Sequence, residues 1–356
     1  MKNKFVAYLH SCWLSQKELT EIFAFETSSE EFFTNLSDAS LSSYVSTPKR
    51  RAGIIDSYNK LSTNYIDTRL EKFCVDIIVL WDNNYPETLT NIPHTPFILY
   101  IRGNIPQWEM FWVVWSRKIS LYGEKIIKNL VPEISNVFPI VSWWAAGCDS
   151  LAHKVSLESG NKTVVVVGTG IDQTYPVSNE KLFESIVKNN GAIISIFRIW
   201  EPWNPYNFPV RNEIVVGLSR WILVVEAKEK SWSLITAWLT LDLWKDLFSV
   251  PWDIFSPQYE GTNNLIKKWE AKCVTKSSEI LEEYNVSVKK KSHTQSLIFS
   301  DEMEECLYNL ISVRASSMDE LSLELRINTQ QLLIKASMLE LKWVIQKDMA
   351  WKYELV

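Results

Sequence analysis

The sequence predicts an α/β protein: a Rossmann-like, doubly wound and mostly parallel sheet, with a small helical N-terminal domain before it and a winged helix after it. Three observations point there. From Asp76 onward, short runs rich in Val and Ile alternate with stretches of helical spacing. Ahead of them, apolar residues recur only at helical spacing, and the last 57 residues read as three helices and a strand pair. A length of 356 residues accommodates two or three domains at about 100–200 residues each.

Residues 1–65, with segments such as LSQKELTEIFAF and RRAGIIDSYNKL, are expected to form the small helical domain and carry no recognisable chemistry. The central domain is expected over 66–285. Its apolar runs are DIIVL (76–80), FILYI (97–101), FWVVW (111–115), FPIVS (138–142), TVVVVG (163–168), AIISI (192–196), WILVVEA (221–227) and LFSVP (247–251). Continuous apolar strands alternating with helices imply a parallel sheet covered on both faces, and such sheets bind ligands beyond the carboxyl ends of their strands. A polar, basic linker is expected over 286–299, with Lys289, Lys290 and Lys291 as a solvated charge run. A winged-helix domain follows over 300–356. Its helices are expected at 302–313, 319–325 and 329–340, its strands at KWVIQK and WKYELV, and capping boxes at Ser317/Glu320 and Asn328/Gln331. Such a module binds duplex DNA or a partner protein, and the sequence leaves that choice open.

Hydrophobic residues at 46% and charged residues at 22% exclude a disordered or fibrous chain. The five cysteines stand far apart and suggest neither a disulfide framework nor a zinc site, so no metal is expected. With no signal-type segment and no apolar run of about 18 residues, a cytoplasmic location without membrane contact is expected. A net charge of −5 argues against coating nucleic acid by bulk electrostatics but allows a local basic groove. The composition has one imbalance: 17 Trp against 10 Gly, where about 7% glycine would supply about 25.

The strand-to-loop junctions hold the candidate chemistry. After FWVVW come Ser116 and Arg117; a hydroxyl beside an arginine at a strand end suits a phosphate, as does Arg211 in FPVRN. Gly168-Thr169-Gly170 matches half of a dinucleotide fingerprint, but the third glycine position holds Gln173, so no nucleotide cofactor is expected. No pair of carboxylates, Cys-His pair or Ser-His-Asp order stands at the strand ends, and no catalytic residue is assigned. His153 reads as a hydrogen-bonded helix residue, Asp149 as the cap of its helix, and Tyr175-Pro176 as a turn.

These segments together resemble one family. SRKISLYG, IVSWWAAGCDSLAH, VVVVGTGIDQTYPVSN, NFPVRNEIVVGLSR, VVEAKEKSWSLITA and GTNNLIKKW follow, in order and spacing, the motifs of the DNA-processing protein A (DprA, or Smf) family, over about Asp82 to Cys273. The resemblance implies a non-enzymatic protein that binds single-stranded DNA through its Rossmann-like domain. It also implies loading of the RecA recombinase in recombination and natural transformation, and a homodimer. Carried over by position, DNA would meet Trp115, Ser116 and Arg117; Ser142, Trp143 and Gly147; and Gly168, Gly170, Asn179, Lys181, Arg211 and Asn212. In the family pattern Trp115, Trp143, Trp221, Trp232, Trp244, Trp252 and Trp269 occupy glycine positions, Trp343 and Trp351 stand at turns that favour glycine, and Trp13, Trp81, Trp108 and Trp203 are further candidates. The resemblance therefore implies UGA codons for glycine translated as tryptophan, and the combined 27 residues would be an ordinary glycine complement.

Three departures stand out. The basic residue that often follows Tyr-Pro is Val177, with Lys181 one turn further on as its substitute; the second arginine of the family's RNR is Glu213, read as removing a positive charge from the groove; and a Ser-Glu pair is replaced by Ser195-Ile196. Two other readings remain: a phosphoribohydrolase-like nucleotide enzyme, which would need a PGGxGTxxE loop absent from this chain, and a regulatory module acting through its winged helix.

Overall fold

The computed structural model describes the chain apart from residues 1, 27, 108, 115–118, 144–146, 175–178, 230, 287–300, 314–315, 326, 342–344, 348–351 and 356. It forms two compact units, Met1–Val288 and Lys289–Val356.

The first unit opens with helices α1 (Lys2–Ser11), α2 (Gln16–Phe23), α3 (Ser29–Thr34), α4 (Asp38–Leu41), α5 (Pro48–Lys60) and α6 (Thr63–Lys72). Strands β1 (Val75–Val79), β2 (Ile98–Gly103) and β3 (Met110–Val114) follow. Then α7 (Leu121–Ser135), β4 (Ile140–Ser142), α8 (Cys148–Glu158), β5 (Thr163–Val166), α9 (Glu180–Lys188), β6 (Ala192–Ser195), α10 (Asn207–Leu218) and β7 (Ser219–Val224) alternate. The unit closes with α11 (Trp232–Asp242), β8 (Asp246–Ser249), α12 (Glu260–Lys267), β9 (Lys272–Cys273) and α13 (Ser277–Glu283).

Each of the eight apolar runs contributes a strand, and the sheet order is β1-β2-β6-β5-β4-β3-β7-β8-β9. From β6 to β9 every pairing is parallel, whereas β2 runs antiparallel to both β1 and β6. The mixed edge follows from its connections. A parallel neighbour needs a long crossover that returns the chain to the same end of the sheet, usually a helix, and β1 and β2 are joined by an irregular segment with one 3-10 turn, Glu87–Asn91. The chain winds outward from β3 to β6 and then returns to place β7 on the other side of β3. That puts the switch point between β3 and β7, where sheets of this kind open a crevice.

Alternate strand residues enter opposite cores. Phe111 and Val113 pack with α7 and α8, while Trp112 and Val114 pack with α10 and α11. The six N-terminal helices share a further core with Phe97, just before β2, and with Ile98, Tyr100, Val165 and Ile193 of the sheet. They are also bonded to it: Gln16 accepts from the Ile98 N–H at 2.9 Å and donates to the Ile196 carbonyl at 2.7 Å, and His10 Nδ1 meets the Tyr100 hydroxyl at 3.0 Å. The boundary expected at residue 65 falls inside α6.

The second unit holds α14 (Glu302–Val313), α15 (Met318–Leu325), α16 (Thr329–Leu341) and the antiparallel pair β10 (Ile345–Lys347) and β11 (Tyr353–Leu355). Ser317 and Glu320 form the reciprocal cap of α15, with the Ser317 N–H bonded to Glu320 at 2.7 Å. Asn328 accepts from the Gln330 N–H at 2.9 Å. The core is Leu307, Ile311, Leu321, Leu332, Leu339 and Tyr353. Among the described residues, no helix is long and apolar enough to cross a membrane.

Candidate functional site

The carboxyl ends of β4 and β5 bring together the side chains around Arg211. This arginine lies in the second turn of α10 and is only 4% exposed. Its guanidinium packs over the Trp143 ring at 4.9 Å and the Phe208 ring at 5.2 Å. It donates to the Val166 carbonyl at 3.4 Å, and its Nε donates to Asn212 at 3.3 Å. Gly168 lies alongside: a Cβ there would reach Arg211 Nη1 at 4.0 Å, and its carbonyl accepts from Asn207 at 3.0 Å. A guanidinium is the side chain whose geometry suits a two-pronged contact with an oxyanion; here its Nε and Nη1 already donate to Asn212 and the Val166 carbonyl.

Beneath this surface the β4 loop is tied down. Ser142 is fully buried and donates to Asp149 at 2.8 Å. The expected cap of α8 needs correction: the N-cap position is Gly147, with φ 108° and ψ −114°, a conformation that favours glycine, while Asp149 sits within the first turn and holds Ser142. His153 Nε2 meets the Trp143 carbonyl at 3.1 Å and Nδ1 meets the Thr163 hydroxyl at 2.6 Å. A carbonyl can only accept, so Nε2 carries the proton. Burial lowers the His153 pKa to about 4 and keeps the ring neutral, which makes it a support for the loop.

The remaining candidates divide. Gly170 is buried against the chain after β6, where a Cβ would stand 2.4 Å from the Arg198 carbonyl, so its bareness serves loop packing. Residues 171–174 then turn without entering a helix, unlike a dinucleotide loop. Asn179 donates to Ser150 at 3.0 Å and links the start of α9 to α8, and Lys181 is exposed in the first turn of α9. Asn212 donates to Thr236 at 3.4 Å. Glu213 accepts from the His94 N–H at 2.6 Å and meets its ring at 2.9 Å, so its charge is engaged by the loop before β2. Trp115, Ser116 and Arg117, together with Tyr175, Pro176 and Val177, lie outside the described residues.

Two groups escaped the sequence reading. Phe208 and Asn207 complete the Arg211 pocket, and the run NFPVRN could have signalled them. At the end of β7, Glu226 is buried, and its carboxylate accepts weakly from the Ser120 N–H at 3.4 Å at the start of α7. Burial pushes the Glu226 pKa up. Ser120 also bonds the Tyr259 hydroxyl at 2.6 Å. A lone carboxylate closing the run WILVVEA was the available sign.

The chain resembles known proteins throughout this region. The DNA recombination-mediator protein A family matches residues 76–285, over half of the chain. DNA processing protein DprA of Streptococcus pneumoniae is 32% identical over 242 residues, covering 67% of this chain and 84% of that protein. Its X-ray structure superposes with a TM-score of 0.68 at 28% identity, covering 80% of this chain and 98% of that one. A structure of DNA processing protein A from Helicobacter pylori, solved for its single-stranded DNA binding mode, superposes with a TM-score of 0.53 at 25% identity over 60% of this chain and 96% of that one. By fold, motif order and sequence, this chain belongs to the DNA recombination-mediator protein A family.

Proposed function

We propose that this chain binds single-stranded DNA in the crevice at the carboxyl ends of β3, β4 and β5, and that it hands the strand to a RecA recombinase. It acts in the cytoplasm as a homodimer, in recombination or natural transformation, without catalytic turnover. The observation that carries the reading is Arg211, buried between two rings at the strand ends beside the bare backbone of Gly168. The H. pylori relative supports the ligand class. In this reading Arg117 and Lys181 add phosphate contacts, and the second unit is a winged helix serving a duplex or a protein partner. Competition between a single strand and its duplex for the full chain tests it: the single strand is expected to win, and duplex preference would refute the reading.

We also infer that several tryptophans stand where glycine belongs, as they would if UGA-encoded glycines had been translated as tryptophan. Among the described residues, seven non-glycines have positive φ, and four are tryptophans: Trp13 (73°), Trp200 (63°), Trp244 (54°) and Trp269 (61°). Large aromatic residues rarely adopt this region, whereas glycine favours it just after a helix. Trp244 and Trp269 follow α11 and α12 and are 95% and 94% exposed, so neither conformation nor burial accounts for an indole there. At Trp143 a glycine would uncover one face of Arg211. Reading the codons decides the matter: TGA is expected at Trp143, Trp244 and Trp269, and TGG there would refute the inference.

A further inference from the structure

In the first unit, 14 large apolar residues among those described are exposed, and half of them follow the carboxyl ends of β3, β6 and β8. Scattered exposed apolar residues need no explanation, but a concentration along one edge of a sheet does. The most exposed rings of this edge set are Tyr206 at 83% and Phe255 at 87%. They stand in the loops after β6 and β8, which end at the same edge because the intervening strands are parallel. With five strand spacings between β6 and β8, those ends lie about 24 Å apart, at about 4.8 Å per spacing.

Both rings are presented in the same way. The Tyr206 N–H donates to Asn204 Oδ1 at 3.0 Å, and the Phe255 N–H donates to Asp253 Oδ1 at 2.9 Å. Each turn holds the backbone while leaving the ring in water. The Tyr206 loop is continuous with the Arg211 pocket: the next residue, Asn207, binds the Gly168 carbonyl, and Phe208 packs under the guanidinium. At the other end, the loop holding Phe255 is pinned where Asn263 bonds the Trp252 backbone at 3.1 Å and 3.3 Å.

We propose that Tyr206 and Phe255 are stacking platforms for unpaired bases, one at each end of the carboxyl edge, with phosphate gripped between them. This rests on the single-strand reading and extends it to base contacts. Stacking on an aromatic ring suits any base whose face is free and excludes a duplex, whose bases already stack on one another. Neither ring depends on the identity of the tryptophans.

The test measures binding of the full chain to two probes of equal length, oligothymidylate and an abasic strand with the same phosphates. Tyr206→Ala and Phe255→Ala are expected to weaken oligothymidylate binding by between about fivefold and a hundredfold, and to leave abasic binding unchanged. Tyr206→Phe and Phe255→Tyr are expected to retain wild-type affinity for both. Equal losses on both probes would overturn the proposal, since a structural support acts regardless of base. No loss on either probe would also overturn it; if Arg211→Gln still weakened both, the groove reading would survive. Failure of the unsubstituted chain to bind either strand would remove the groove reading and the platforms together.

Discussion

His153 shows how a residue beside the crevice is committed to structure. It is fully buried, with both ring nitrogens occupied by the Trp143 carbonyl and the Thr163 hydroxyl. Its folded pKa is about 4 against 6.5 for the free side chain, so between these values the unfolded chain binds more protons than the folded one. Its stabilising contribution is therefore whole above pH 6.5 and falls away as pH drops toward 4, by on the order of 3 kcal/mol. His10, lowered to about 3 by burial and the nearby Arg198, acts in the same direction. His153→Gln is expected to flatten the loss of stability between pH 6.5 and 4.5 in denaturant titrations, and an unchanged pH profile would contradict this account. At this scale the sequence revealed residue types near a strand end but not which way they face. Arg211 could be singled out, whereas the burial of Ser142, the packing role of Gly170 and the engagement of Glu213 by His94 depend on contacts 7 to 119 residues away.

Elements were more legible. A continuous apolar run declares a strand, and all eight runs formed one, although β1 at the edge of the sheet is only partly buried. β9 was missed because Lys272–Cys273 has no apolar run and is recruited by pairing with β8. The reversed direction of β2 was hidden because orientation is decided by the connection rather than by the strand's own residues. Helical spacing in residues 1–65 reported that a face is buried, but not that its partner is the sheet. Gln16 is one of the residues that make the attachment specific, since its amide bridges Ile98 and Ile196, beside Asn3 on the Ile77 carbonyl and His10 on Tyr100. Gln16→Ala leaves the Ile98 N–H without its partner and is expected to destabilise the first unit by about 1–3 kcal/mol, read as a lower urea midpoint with the slope retained. An unaltered midpoint would mean that the Gln16 bonds contribute nothing measurable and that apolar packing with the other polar ties, such as His10 to Tyr100 and Asn3 to the Ile77 carbonyl, holds the helices.

At the scale of the whole molecule, a chain of net charge −5 is expected to bind a polyanion only where cations are concentrated and the backbone is bare. In the proposed groove Arg211 would supply a cation and Gly168 bare backbone, and a glycine at Trp143 would uncover one face of that arginine. The second unit carries its own core and caps, which agrees with the reading of the last 57 residues as three helices and a strand pair. The most direct test of the central claim is the salt dependence of single-strand binding by the full chain and by Arg211→Gln. Each phosphate contact contributes about 0.7 to the slope of log affinity against log salt on a single strand. Loss of Arg211 is therefore expected to weaken binding and reduce that slope by about 0.7, with the single strand preferred over its duplex throughout. An unchanged slope would contradict the assignment of Arg211 to DNA phosphate.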